Sequence, residues 1–118
     1  MSPHDRRRAV QPRTWSIAAL ALCVVAPSAV AQAETVSDTD VMRIVTTHCV
    51  SCHARSPTHE SFKEPPNNIV LETVADLKRF APQVVAQTVV NKAMPMGNQT
   101  VMTEDERQQI GAWIAALK

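Results

Sequence analysis

The residues of this chain with the clearest chemistry form one short run, Cys49-Val50-Ser51-Cys52-His53. Two cysteines separated by two residues and followed directly by histidine are typical of a site where haem is attached covalently. Positions three and four apart on a helix share one face, so the two thiols and the imidazole can point the same way. The sulfurs would then hold the porphyrin through two thioethers, and His53 would bind the iron. The run therefore predicts one covalent haem c.

A methionine in a rigid turn is the second candidate for iron binding. The stretch Ala93-Met94-Pro95-Met96-Gly97-Asn98 contains a proline and a glycine, which are typical turn residues. A thioether is one of the groups that proteins supply to the remaining axial position of a haem iron. We predict Met94 as this ligand because Pro95 restricts its orientation, with Met96 as the alternative and Met102 as a third choice. The competing interpretation is that these methionines only pack against the porphyrin, since methionine commonly fills gaps in a core.

Other histidines near the motif compete for a role. His59 is a candidate second imidazole ligand, but it lies in a polar loop, and we interpret it as a surface residue. His48 flanks the motif too closely to compete with His53 for the iron. A metal-bound histidine usually donates its other ring N–H to a nearby acceptor. We expect a loop carbonyl near Pro57 to be that acceptor for His53.

The N-terminal third of the chain predicts an export signal, a secretory signal peptide over residues 1–33. A basic start precedes an apolar stretch, Trp15 to Ala26, and small residues follow it, with cleavage after Ala31 or Ala33. An uncleaved anchor is the alternative, but the apolar stretch is shorter than the roughly 20 residues of a membrane-spanning helix. Cys23 would be removed with the leader. The mature protein is therefore expected in the periplasm.

The residues after the leader, 34–118, are predicted to form one small domain of slightly negative charge. The chain has 12 basic and 11 acidic residues; removal of four arginines and Asp5 with the leader leaves a net charge of −2. A nucleic-acid partner is not expected, because no basic face is clustered. Membrane contact is expected only through the leader or a membrane-bound partner. Small domains with few aromatic residues commonly need a staple, which a covalent macrocycle would supply.

Hydrophobic periodicity predicts helices and turns throughout the mature chain. The first helix is expected from Asp38 to His53 and is followed by a loop over Ala54 to Thr73, in which the apolar run 69–71 packs over one side of the haem. A short helix over Val74 to Phe80 and a second from Pro82 to about Lys92 come next. A T-x-x-E capping box then opens a last amphipathic helix. The apolar stripe of this helix consists of Ile110, Trp113, Ile114 and Leu117. Gly111 is expected to allow a close approach to the first helix.

The order of these elements resembles the class I c-type cytochromes. A helix leading into Cys49-Val50-Ser51-Cys52-His53, a loop, short helices, a Met94-Pro95 turn and a capped last helix cover essentially the whole mature chain. The resemblance implies an all-α fold in which the N- and C-terminal helices cross near Trp113, while short helices and loops wrap one haem. It implies that Cys49 and Cys52 hold the haem, with His53 as proximal and Met94 as distal ligand. The chain departs from the pattern in having only two glycines, none of them in the first helix.

A narrower similarity concerns the haem domain at the C-terminus of bacterial membrane-bound urate oxidases. It is carried by residues 52–59, by residues 93–98 and by the ending Gly111-Ala112-Trp113-Ile114-Ala115. From these 118 residues we expect the membrane portion of those enzymes to be absent. The similarity implies a free-standing relative of their haem module.

The leading hypothesis is an electron-transfer protein, not an enzyme, that acts as a monomer with redox partner proteins. One alternative is a dedicated haem subunit or electron acceptor of one dehydrogenase or oxidase, with purine or urate oxidation as an example. Another is an enzyme or sensor with an open iron site. A redox dithiol or a zinc site would need a βαβ context or further ligands. Four cations are candidates for docking an acidic partner, although solvation alone also explains them: Lys63, Lys78, Arg79 and Lys92.

Overall fold

The computed structural model describes residues 34–118, which belong to one compact unit spanning Gln32–Lys118. This part of the chain forms helices and turns and contains no β-strand, so the predicted all-α class is confirmed. The predicted signal peptide, with Cys23 and the expected cleavage sites, lies outside the described residues. Within residues 34–118, no helix is both long enough and apolar enough to cross a bilayer.

Helix α1 spans Asp38–His48 and is shorter than the sequence predicts. The hydroxyl of Ser37 caps its start by accepting the amide of Asp40 at 3.1 Å. The helix does not continue to His53, because the amides of Cys49 and Val50 both donate to the Val45 carbonyl and end the regular ladder. The motif therefore lies on a turn after α1, in which the Cys49 carbonyl accepts the amides of Cys52 and His53.

Two short helices follow the loop, as the sequence predicts, and their ends differ from the predicted ones by at most two residues. Helix α2 spans Val74–Arg79 and begins with a complete capping box between Thr73 and Asp76. Helix α3 spans Ala81–Val84 and continues as a π-helix over Val85–Val90. Proline in the first turn of α3 is tolerated because the amide it lacks would have no helical acceptor there. The wider π turn is a feature that hydrophobic periodicity alone did not predict.

Helix α4 spans Glu104–Ala115 and begins where the sequence predicts. Thr103 and Glu106 form the expected capping box: each side chain accepts the other residue's amide, at 3.2 and 2.8 Å. These bonds satisfy two of the amides that a helix start leaves without partners. Between the π-helix and α4, the chain makes a 3₁₀ turn over Met96–Asn98, and the Met94–Pro95 peptide bond is cis.

The hydrophobic core lies between α1 and α4 and extends to α2 and α3. Trp113 is buried there and its indole N–H donates to Asp38 at 2.8 Å, which confirms that this tryptophan lies where the first and last helices meet. Gly111 does not serve that contact. A Cβ at Gly111 would lie 3.6 Å from the methyl groups of Val89, so this glycine packs against the π-helix. The fully buried side chains of largest volume are Ile44, Leu77, Ile110, Val41 and Val45.

Candidate functional site

A cavity of about 790 Å³ opens between the turn after α1, the loop before α2 and the π-helix. Its volume lies within the roughly 300–1,000 Å³ that is usual for small-molecule and cofactor sites. Three of the residues that the sequence assigns to haem line it together, namely Cys49, His53 and Met94. Much of the remaining wall is apolar and includes Ile69, Leu71, Phe80 and Val84.

The two cysteines are unpaired thiols in slightly different surroundings. Both are half-buried, but Cys49 lines the cavity, whereas Cys52 does not and lies beside the hydroxyl of Ser51, 3.8 Å from its sulfur. Burial raises the pKa of the Cys49 thiol to about 12, and the neighbouring Cys52 adds to this rise. A reactive dithiol works through a thiolate of lowered pKa. The environment of Cys49 therefore disfavours the redox-dithiol interpretation.

His53 is oriented by backbone groups of the loop before α2. Its Nδ1 lies 2.9 Å from the carbonyl oxygen of Ile69, and its own carbonyl accepts the amide of Leu71 at 2.8 Å. The acceptor for Nδ1 is thus not near Pro57, as the sequence suggested, because residues 69–71 return to the motif and supply it. A ring that donates from Nδ1 keeps Nε2 as the nitrogen available to a metal.

The three candidate methionines occupy different environments. Met94 is half-buried and lines the cavity. Met96 is 49% exposed and is not part of the cavity wall, and Met102 is buried in the hydrophobic core. The backbone of Met94 is fixed at both polar groups: its amide donates to the Gln87 carbonyl at 3.0 Å, and its carbonyl accepts from Arg107 at 2.7 Å. Among the methionines considered, Met94 alone combines access to the cavity with a fixed backbone.

The two other histidines of this region do not line the cavity. His59 lies in the loop, where its Nδ1 accepts the amide of Ser61 and its ring stands 5.6 Å from that of Phe62. His48 is buried and connects the end of α1 to the segment just before α4. Its Nδ1 lies 2.8 Å from the hydroxyl of Thr100, and its Nε2 lies 3.3 Å from a carboxylate oxygen of Glu106 without the alignment of a hydrogen bond.

The carboxylate of Glu106 is held in its charged form. The amide of Thr103 donates to it at 2.8 Å, which is the main reason that the pKa of Glu106 is lowered from 4.5. The nearby His48 side chain acts in the same direction, while desolvation by burial opposes the shift. This carboxylate thus contacts both the first residue of its own capping box, Thr103, and the His48 ring at the end of α1.

Arg107 is the residue near the site that sequence analysis missed. It is buried, and its guanidinium binds the backbone carbonyls of Thr88 in the π-helix and of Met94 in the following turn. One signal in the sequence pointed to it. Arg107 precedes Ile110 by three positions and Ile114 by seven, so it belongs to the stripe of α4 that faces the protein.

Among the described residues, neither the candidate docking cations nor the candidate zinc ligands form a distinct binding site. Lys92 pairs with Glu104 at 2.8 Å on the surface, and the guanidinium of Arg79 lies 5.3 Å from the ring centre of Phe80. In residues 34–118, no three histidine, cysteine or acidic side chains converge as a metal site. A haem iron needs no such cluster, because the porphyrin supplies four ligands and the protein at most two.

Comparisons of this chain with family models, with curated proteins and with solved structures found no match.

Proposed function

We propose that this chain is a periplasmic, monohaem c-type cytochrome that passes single electrons between redox partner proteins. The observation that carries the proposal is the convergence of Cys49, His53 and Met94 on one cavity. Haem, when bound there, would supply one-electron chemistry through the ferric and ferrous states of its iron. The crossing of the first and last helices and the wrapping of loops around the cofactor belong to the same proposal.

The motif turn would hold the cofactor and supply the proximal ligand. Cys49 and Cys52 would hold the porphyrin through thioethers, and His53 would bind the iron through Nε2. The contact between Nδ1 of His53 and the Ile69 carbonyl supports this role, because it fixes both the tautomer and the plane of the ring.

Met94 would supply the distal ligand. Together with His53, Met94 would complete the ligands of the iron and would leave no position open to oxygen or peroxide, which favours electron transfer over an enzyme with an open iron. The fixed backbone of Met94 supports this role, since it limits the positions that the thioether can reach. The exposure of Met96 makes that residue the weaker candidate.

The apolar wall would set the environment of the iron. Ile69, Leu71, Phe80 and Val84 make a large part of the cavity wall apolar. Such surroundings disfavour the additional positive charge of ferric iron and thereby raise the reduction potential, as does a thioether ligand. Both effects suit a carrier that accepts electrons readily.

The experiment that tests the proposal is a pyridine haemochrome assay on protein produced together with haem-attachment machinery. We expect one covalent haem for each wild-type chain and none in Cys49→Ser/Cys52→Ser. Ser51→Ala, between the two cysteines, is the matched control and should retain the haem. Wild-type protein that is secreted, folded and free of covalent haem would refute the proposal.

A further inference from the structure

The guanidinium of Arg107 is an unusual feature of this small fold. The residue is 5% exposed, and its Nη1 donates to the carbonyl oxygens of Thr88 at 2.6 Å and of Met94 at 2.7 Å. Its Nη2 donates to the side-chain oxygen of Asn98 at 3.3 Å. Burial of a charge is costly unless hydrogen bonds compensate for it. Here every compensating oxygen belongs to residues 88–98.

Within residues 34–118, the ion pairs formed by arginine or lysine involve Arg55 and Lys92. Neutral carbonyl and amide oxygens therefore solvate Arg107 in place of a carboxylate. Because its donors are held in a fixed fork, one guanidinium can bind groups on two segments at once. The single ammonium group of a lysine does this less well. The contacts thus join α4 to both ends of the Met94 turn.

The end of the π-helix explains why its carbonyls are available. Lys92 has a φ of +53°, so regular helical hydrogen bonding does not continue past Asn91. Carbonyls in the last turn of a helix lack amide partners and must be satisfied in another way. The Gln87 carbonyl accepts the amide of Met94, and the Thr88 carbonyl accepts from Arg107. Gln87 and Thr88 also line the cavity, so the wall of the cavity and the Met94 turn are tied together.

We infer that Arg107 is a positioning residue that holds the backbone of Met94 against the cavity wall and thereby keeps the Met94 thioether at the iron. This inference rests on the proposed haem function. Arg107 does not bind the iron itself. It acts through the carbonyls of Thr88 and Met94, and its loss would let the turn move away from the cavity.

Added imidazole provides the test, because it must displace a distal methionine before it can bind the iron. Arg107→Gln removes the charged fork. We expect the affinity of the ferric, haem-loaded protein for imidazole to rise roughly ten- to a hundredfold, the change that loss of hydrogen bonds to a charged group produces. The near-infrared thioether-to-iron charge-transfer band should weaken in parallel. Arg107→Lys keeps the charge without the fork and should give a smaller rise in the same direction.

The Ile110→Ala variant distinguishes a loss of Met94 positioning from a general loss of stability. Ile110 is fully buried on the same helix, one turn beyond Arg107, and its truncation destabilises the fold through lost packing. Urea unfolding of the haem-loaded variants measures that loss. At a comparable loss of unfolding free energy, Ile110→Ala should leave the imidazole affinity close to that of wild type.

Unchanged imidazole affinity in Arg107→Gln, or an equal rise in Ile110→Ala, would overturn the inference and leave the haem function intact. If Arg107→Gln fails to fold, Arg107→Lys tests the inference instead. A higher imidazole affinity in that variant supports the inference, and an affinity equal to that of wild type overturns it. Wild-type protein without haem, or with a band that Met94→Ala does not remove, would overturn the proposed function and this inference with it.

Discussion

The two sides of the cavity are held by different kinds of contact. On the motif side, residues 49–53 and 69–71, backbone groups do most of the holding: the Ile69 carbonyl orients His53, and the Leu71 amide binds the His53 carbonyl. On the methionine side, residues 87–98, the Arg107 side chain binds the carbonyls of Thr88 and Met94, and the Asn98 side chain binds the backbone of Met102. The motif side should therefore tolerate side-chain substitutions outside the motif, whereas the methionine side should depend on these two polar residues.

Substitution of Asn98 should give the largest loss of stability among changes outside the core. Its amide side chain donates to the Met102 carbonyl at 3.2 Å and accepts the Met102 amide at 3.0 Å, and it also accepts from Arg107. Asn98→Ala leaves these groups without partners, and we expect about 1–3 kcal/mol lower unfolding free energy in urea titrations. Asn98→Asp keeps the acceptor and should lose less. Equal stability of Asn98→Ala and wild type would remove the contrast between the two sides.

Val101 offers a stabilising change on the same side. It has a φ of +57° and is 75% exposed, a conformation that β-branched residues rarely adopt. Val101→Asn introduces a residue that enters this region more easily and gives up little buried surface. We expect a gain of about 1 kcal/mol in unfolding free energy. A loss instead would indicate that the valine side chain makes a contact that its exposure does not suggest.

An ion pair between segments that flank the motif side is a side-chain contact whose removal should matter less. Arg55 pairs with Glu72 and, at 3.5 Å, with Asp76, but its side chain is 64% exposed. Exposed ion pairs contribute about 0.2–1 kcal/mol, and salt screens them. Arg55→Gln should therefore cost no more than that in thermal or urea unfolding, and less at high salt. A cost as large as that of Asn98→Ala would contradict the comparison.

Glu106 should give the smallest effect, visible mainly as a pH dependence. Because its pKa in the folded protein lies below 4.5, its carboxylate adds stability above pH 4.5, and that contribution is lost as the pH falls through the lower folded value. Glu106→Gln keeps a side chain suited to the capping box and should cost under about 1 kcal/mol at neutral pH. In unfolding curves measured across pH, the difference from wild type should shrink below pH 4.5. A difference that stays constant there would show that the charge is not responsible.

Local patterns predicted the parts of this site that depend on neighbouring residues. The spacing of Cys49, Cys52 and His53 places them on one turn, and the capping box at Thr103 marks the start of α4. The same patterns placed the end of α1 too late, because they do not reveal that two amides share the Val45 carbonyl. Hydrophobic periodicity likewise predicts a helix after Pro82 without the π turn.

Contacts between distant segments were beyond the reach of the sequence. The Ile69 carbonyl is a backbone group 16 positions from His53, and every residue carries such a group, so composition cannot identify the acceptor. The spacing of α4 places Arg107 on the face toward the protein, but only the fold shows that it binds the carbonyls of Thr88 and Met94. Likewise, the choice among the methionines depends on which of them lines the cavity, which is a property of the whole fold.

Distal ligation by Met94 is the central claim, and the near-infrared spectrum of the ferric protein tests it most directly. Wild-type protein should show the weak thioether-to-iron charge-transfer band. Met94→Ala should lose it, whereas Met96→Ala, two residues away in the same turn and with an exposed side chain, should retain it. A band that persists in Met94→Ala and disappears in Met96→Ala would contradict the account.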